Sequence, residues 1–536
     1  MQQHAKLCVT VYNVQWRRFL IPAVADSVDS LIGKLGGCGR FQVLFVSLAY
    51  FPLVPATWSL LFMIFGNYNP GLECGDDYPS SILNTMQSSN LENDNFLHNT
   101  TVVCSCVTIK SHKNWTFNKA ALTVVTEWSL ICEDSWKRST IISVQMVGVL
   151  LGSLVGGQIG DRFGRKSNIH GGAALLTVTN IIGVFSVSWV MYATVRFFIG
   201  FAVGAILSTV TIYNMEFLPS FWRGFIGTFP FWTICTFTLG LCVMALKNWK
   251  HVHIATAFVA MLAFLSVFWL PESMRFLAVH GHLTQANKVV KKIARLNKKP
   301  LPDTSIVTRI AEVEKESLKE RSSYTYLHLF HKNIRKYTII VGTTWFIISL
   351  SSNTIGFGLN AFSGDFFVNL LVLFVLPFPA RLLGLLITSK VGRKIAMLTN
   401  ICLSFACSFL IVGIQLAAPE NWRGLATTAL ALVANIFIEA SWGVAVVFIG
   451  ELFPTGVRNM AYAFCGAVSR VGAMLGPYLI LKESMPMWSV FLLIGLLLLI
   501  CFLAVLTLPE SKGKPLHDNL EVKVTKGQDS DVNSHV

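Results

Sequence analysis

The chain has 536 residues, of which 53% are hydrophobic and only 13% charged. A soluble chain of this length would divide into several domains and carry far more charge, so the composition excludes a soluble globular fold and indicates a polytopic helical membrane protein. The net charge of +15 does not indicate nucleic acid, because the basic residues cluster in short loops and one long loop, as on cytoplasmic faces.

Residues 1–42 lack the charged start, clean apolar run and cleavage site of a secretory leader. Arg17 and Arg18 interrupt them, and they read as a cytoplasmic lead. Val43–Phe65 is the first apolar span, with Pro52 and Pro55 inside it. A polar loop follows over residues 66–138, holding Cys74, Cys104, Cys106 and Cys132 and the sequons at Asn99 and Asn114. Cysteines and sequons confined to one loop point to an extracellular, disulfide-bonded, glycosylated segment, with the pairing open.

Further spans are expected at 140–159, 171–189, 191–213, 225–246 and 252–270. Residues 271–336 are hydrophilic. Six more spans are expected at 337–359, 366–388, 395–416, 424–449, 460–481 and 488–508, followed by a polar tail over 509–536. With the first loop outside, both termini fall inside. The basic turns Gly160–Lys166 and Ser389–Lys394 and the basic middle loop then share the cytoplasmic side, as the positive-inside rule requires. In the middle loop Leu283, Ala286, Val290 and Ile293 form an apolar stripe bordered by Lys288, Lys291, Lys292 and Arg295. That pattern fits an amphipathic helix on the membrane surface, against the bundle or in solvent.

The chain repeats itself. Glu216-x-x-Pro219-x-x-x-Arg223 recurs as Glu451-x-x-Pro454-x-x-x-Arg458, LPES at Leu270 recurs at Leu508, and GRK at Gly164 recurs at Gly392. Three motifs in one order at an offset of roughly 230–240 residues mean two six-span halves of like orientation, the plan of a transporter that binds substrate between its halves. The expected fold is therefore an all-α membrane protein, with N-terminal half 43–270, cytoplasmic loop 271–336 and C-terminal half 337–508. No pore ring, zinc-binding HExxH or phosphate-binding GxxxxGK[ST] motif is present, so neither a channel nor an enzyme is indicated, and no metal or other cofactor is called for.

Gly157-x-x-x-Asp161-Arg162-x-Gly164-Arg165-Lys166 resembles the cytoplasmic signature of the major facilitator superfamily. The resemblance implies a twelve-helix fold and a charged latch, weakened in the second copy, where Ser389 takes the Asp position. GGCGRFQ at Gly36, VTEWSLICEDSW at Val125, PESMRFL at Pro271 and GELFPTGVRN at Gly450 resemble solute carrier family 22, the organic anion, organic cation and carnitine transporters. That resemblance implies alternating-access uniport or exchange of small organic ions across the plasma membrane. A dicarboxylate or a cation is a candidate exchange partner.

Arg470 lies near the middle of the eleventh span and Arg381 in the eighth. A guanidinium keeps its proton in a membrane, and one at a helix centre costs roughly 2.5–3.5 kcal/mol on insertion scales. By the resemblance, arginine at the Arg470 position goes with anion and carnitine carriers, and a basic residue at the Arg381 position with anion carriers. Both arginines are expected to meet substrate. Arg381 could instead snorkel to the interface, and Arg470 could pair with Glu439 of the tenth span, which would favour a zwitterion or cation. Phe231, Trp232, Trp345 and Phe374 are candidate cavity walls, with Asn353 beside them. Glu216 with Arg223, and Glu451 with Arg458, are expected as gating or structural ion pairs at inner helix ends. Arg196 matches a buried arginine of the superfamily, structural or substrate-linked.

Overall fold

The computed structural model describes residues 28–74, 115–219, 222–223, 229–302, 306–313, 325–480 and 486–511. Asn99, Asn114, Cys104 and Cys106 lie outside these residues, and the side chain of Cys74 is likewise not described.

Among the described residues twelve helical spans form the bundle, nine of them long and apolar enough to cross a membrane by length and composition. Span one runs as Arg40–Tyr50, Leu53–Leu61 and Met63–Gly66, interrupted at Phe51 and Pro52, where proline removes a backbone donor. Spans two to six are Ser135–Phe163, Arg165–Val184, Trp189–Met215, Phe231–Leu246 and Trp249–Leu265. Span seven is Arg335–Phe357, and span eight breaks at Leu376 into Phe366–Val375 and Pro377–Val391. Spans nine to twelve are Arg393–Ala417, Glu420–Leu452, Thr455–Ile480 and Met487–Leu506.

Several spans reach beyond the windows expected from hydropathy. Spans three and nine begin at Arg165 and Arg393, because the first turn of each is polar and is held by capping rather than by lipid. The two caps are alike. Gly164 and Gly392 adopt φ of +104° and +120°, a region that favours glycine. A Cβ on Gly164 would fall 2.2 Å from a Glu272 oxygen, and one on Gly392 2.8 Å from a Glu510 oxygen.

Lipid offers helices no hydrophobic drive to associate, so close backbone approach has to hold them. Spans two and four meet through reciprocal glycines. A Cβ on Gly148 or Gly152 would lie 2.1 Å from the carbonyl oxygen of Phe197 or Phe201, and one on Gly200 would lie 2.1 Å from that of Gln145. The second half repeats this less tightly, Gly472 facing the Phe346 carbonyl at 2.5 Å between spans eleven and seven.

Strands β1, Leu72–Cys74, and β2, Trp115–Phe117, pair antiparallel at the end of the bundle where span one leads into span two, called here the loop end. Cys132, at that end, is disulfide-bonded. At the opposite, turn end lies the middle-loop helix Leu283–Asn297. Its Ala286, Val289, Val290 and Ile293 are buried among Leu31, Met274, Val307 and Ile310, so its apolar face covers protein and its lysines face outward. The Asn297 amide clamps the start of span one: it accepts from Phe41 N and donates to Leu35 O, each at 2.9 Å.

Among the described residues, every hydrogen bond joining the two halves lies toward the loop end. Ser139 and Ser143 of span two donate to the Pro477 and Met474 carbonyls of span eleven at 3.4 and 2.9 Å. Thr140 meets the Tyr478 hydroxyl at 3.2 Å, and Asn69 N donates to Asn360. Tyr68 stacks on Phe366, with centroids 4.1 Å apart.

Candidate functional site

The charged side chains inside the spans, away from the helix ends, are Arg196, Arg381, Glu439 and Arg470. Their surroundings differ sharply.

Arg196 of span four is fully buried in the N-terminal half. Its Nη2 donates to Ser59 O at 2.8 Å and to Gln145 Oε1, and its guanidinium lies over the Phe62 and Tyr192 rings. Asn180, His253 and Tyr192 continue a closed polar chain beside it, His253 Nδ1 standing 2.8 Å from Asn180 Oδ1 and Nε2 3.0 Å from the Tyr192 hydroxyl. This arginine ties helices of one half together and is sealed from solvent.

Arg381 of span eight is ion-paired with Glu439 of span ten, Nη2 to Oε2 at 2.6 Å. The other Glu439 oxygen accepts from Ser352 of span seven at 2.7 Å. Both carboxylate oxygens are therefore engaged, and the two charges cancel locally. The expected alternative of Glu439 pairing with Arg470 is overturned. The sequence places both residues at mid-span but does not say which faces of spans eight, ten and eleven meet.

Arg470 is half-buried and has no hydrogen bond or ion pair among the described residues. It shares a helix face with Met474 and Pro477, four and seven positions on, whose carbonyls bond span two at the loop end. Arg470 therefore points toward the opposite half, about one turn beneath the contact between halves and about 15 Å along the helix from its loop end.

The other expected wall residues divide. Phe231 is half-buried and stacks on Tyr50 of span one, with centroids 4.5 Å apart. Trp232 is half-buried beside it. Asn353 is half-buried, donates to Ser349 O, and stands against Gly476 of span eleven. Trp345 and Phe374 are buried. Trp345 packs edge-on to Trp442 inside the C-terminal half. Phe374 closes against Gly240 of span five where the halves touch.

At the turn end each half carries one charged cluster. Arg165 pairs with Asp161 at 3.0 Å and with Glu216 at 3.4 Å, while Glu272 Oε1 accepts from the backbone of Arg165 and Lys166. In the second half Arg393 pairs with Glu451 at 2.8 Å, and Glu510 accepts from Arg393 N and Lys394 N. The expected pairing of Glu216 with Arg223 and Glu451 with Arg458 is thereby corrected. Arg223 Nε instead donates to the Met215 and Leu218 carbonyls, and Arg458 Nε to Phe453 O, closing helix ends. The i to i+7 spacing suggests a local pair, whereas each carboxylate reaches back to the start of the preceding span. Arg162 is exposed and lies over the Phe163 ring. Burial pushes the Glu216 carboxyl up from its ordinary value, opposed by Arg165, Ser273 and Arg275.

The arrangement is that of a two-half membrane carrier with, among the described residues, one uncompensated cation facing the contact between the halves. A family model described as "Sugar (and other) transporter" matches residues 94–521, and the chain belongs to that family. Its relatives include organic cation/carnitine and organic anion transporters and members of solute carrier family 22, and its fold is that of the major facilitator superfamily. It is 29% identical to the human "Organic cation/carnitine transporter 2", over 76% of this chain and 73% of that one. It is 25% identical to the rabbit (Oryctolagus cuniculus) "Organic anion transporter 3", over 92% and 93% of the two chains. It is 26% identical to "Solute carrier family 22 member 6-A" of Xenopus laevis, again over 92% and 93%. Among solved structures, the xylose transporter XylE of E. coli in a partially occluded inward open conformation matches with a TM-score of 0.61. That match has 15% identity and covers 88% of this chain and all of XylE, which shows the shared fold. The protein is thus a multi-pass membrane transporter and not an enzyme.

Proposed function

We propose that this protein carries small organic anions across the plasma membrane by alternating access, with Arg470 as the counter-charge for the substrate. One observation carries the reading: a guanidinium at mid-span, on the face of span eleven that meets span two at the loop end, that no described residue neutralises. Leaving such a charge unpaired in a membrane interior is costly unless an anion meets it. A carboxylate or sulfate matches its forked donors. The halves meet at the loop end, and an alternating-access carrier closed there takes up or releases substrate at the turn end. Phe231 and Trp232, near the turn end of span five, offer aromatic surface to an organic body.

The carnitine-like or cationic alternative needs a carboxylate for the ammonium. Glu439 is the charged candidate within the spans, and Arg381 and Ser352 occupy both its oxygens. That favours the anion.

Uptake of labelled benzoate, phenyl sulfate, carnitine and tetraethylammonium into cells expressing the protein tests the reading. Benzoate or phenyl sulfate is expected to enter, and Arg470→Gln to abolish that entry at undiminished surface level. Entry of carnitine or tetraethylammonium alone, or full anion uptake by Arg470→Gln, overturns it.

A further inference from the structure

We infer that Glu439 sets the charge of the substrate, so that the carrier selects organic monoanions over dianions. The inference deepens the reading of Arg470 as the anion contact and rests on it. The charges lining mid-span are few enough to count. Arg196 is walled off inside the N-terminal half, bonded to Ser59 and Gln145. Arg381 and Glu439 cancel at 2.6 Å. Among the described mid-span residues Arg470 alone is left, so these residues present one net positive charge.

The three residues stand on adjoining spans of the C-terminal half. Glu439 of span ten binds Arg381 of span eight and Ser352 of span seven. Asn353, next to Ser352, abuts Gly476 on span eleven, the span that carries Arg470. A substrate with one carboxylate or sulfate is neutralised by Arg470. A second carboxylate would find no further free cation among the described mid-span residues and would be left uncompensated.

The Arg381–Glu439 pair is also the adjustable element. Its side chains are 18% and 17% exposed, and Arg381 Nε has no partner. Arg381 could therefore receive an anion if Glu439 were neutral. The wild-type pair keeps that second cation masked.

Benzoate and phthalate test this directly, since they share one ring and differ by one carboxylate. In proteoliposomes holding the full chain, the wild type is expected to show kcat/KM for benzoate at least tenfold above that for phthalate. Glu439→Gln unmasks Arg381 and is expected to shrink the ratio at least tenfold by raising phthalate transport. The double variant Arg381→Gln/Glu439→Gln removes one charge of each sign and is expected to restore the wild-type ratio. The inference is overturned if the wild type moves phthalate as well as benzoate, or if Glu439→Gln is active with an unchanged ratio. It is also overturned if the double variant behaves like the single one, since packing and not charge would then be responsible. Should Glu439→Gln fail to reach the membrane, the wild-type ratio and the double variant still decide. Failure of the anion reading itself shows differently: the wild type then moves neither compound.

Discussion

Glu272 and Glu510 occupy the same place in the two halves. Each follows the end of its half's last span and turns its carboxylate to the exposed backbone donors of the GRK turn, at Arg165 and Lys166 in one half and at Arg393 and Lys394 in the other. A carboxylate at a helix N-terminus satisfies orphan donors and complements the helix dipole. A hydrogen bond to a charged group is worth about 1.5–3 kcal/mol. Glu272→Gln keeps the shape and removes the charge, so it is expected to lower stability by about 1–2 kcal/mol. Glu510→Gln is expected to match it. Thermal unfolding in detergent measures both, and unchanged melting in either variant would show that its cap is idle.

Glu216 gives the turn end a pH dependence. Burial raises its pKa above the ordinary 4.5, partly offset by Arg165, Ser273 and Arg275 and reinforced by the charge of Glu272. A carboxyl whose folded pKa is raised contributes stability that is complete below its ordinary value and is lost as pH rises through the folded one. The melting temperature in detergent is therefore expected to fall as pH is raised from about 4.5 toward neutrality. Glu216→Gln should flatten that part of the profile. An identical slope in the variant would assign the dependence to other groups.

The crossing of spans two and four depends on hydrogen atoms where other residues place carbon. Gly152→Val puts a side chain on a Cβ only 2.1 Å from the Phe201 carbonyl, with that backbone unable to yield without moving the helix. Overpacking of this kind costs about 1–3 kcal/mol and sometimes more. The variant is expected to be retained inside the cell. Gly157→Val is its control, because no atom lies within 4 Å of a Cβ there. Equal surface levels for the two would refute the close-packed crossing.

The fold could be read from the chain because its causes are local. Spans announce themselves by twenty-odd apolar residues, and the two-half plan by the repeated Glu216 and Glu451, Leu270 and Leu508, and GRK motifs. The charged residues of the site were equally visible, since a guanidinium among apolar residues stands out wherever its helix ends up. Their partners were not visible. Glu439 chooses Arg381 over Arg470 because of how spans eight, ten and eleven are rotated about their axes, and hydropathy carries no such angle when a helix is apolar on every side. Trp345 was expected at the cavity for its ring alone, and it packs against Trp442. The reciprocal glycines do leave a local mark, glycine at every fourth position from Gly148 to Gly160 and again at Gly200 and Gly204, but that mark does not say which spans meet, and no local pattern marks the Asn297 clamp.

The contact between halves at the loop end must open if the protein works by alternating access, and this can be tested without knowing the substrate's charge. Ser143 Oγ reaches the backbone carbonyl of Met474 at 2.9 Å, so spans two and eleven are in direct contact there, the condition for an engineered disulfide. The double variant Ser143→Cys/Met474→Cys is expected to transport when reduced, to stop when oxidised, and to recover with dithiothreitol. Each single variant should ignore the oxidant, which also controls for the free thiols at Cys235, Cys242 and Cys465. Rocking of the halves converts a fixed bond at this contact into a complete block. Undiminished transport by a fully cross-linked double variant would mean that the loop end never parts here, and that substrate passes by another route.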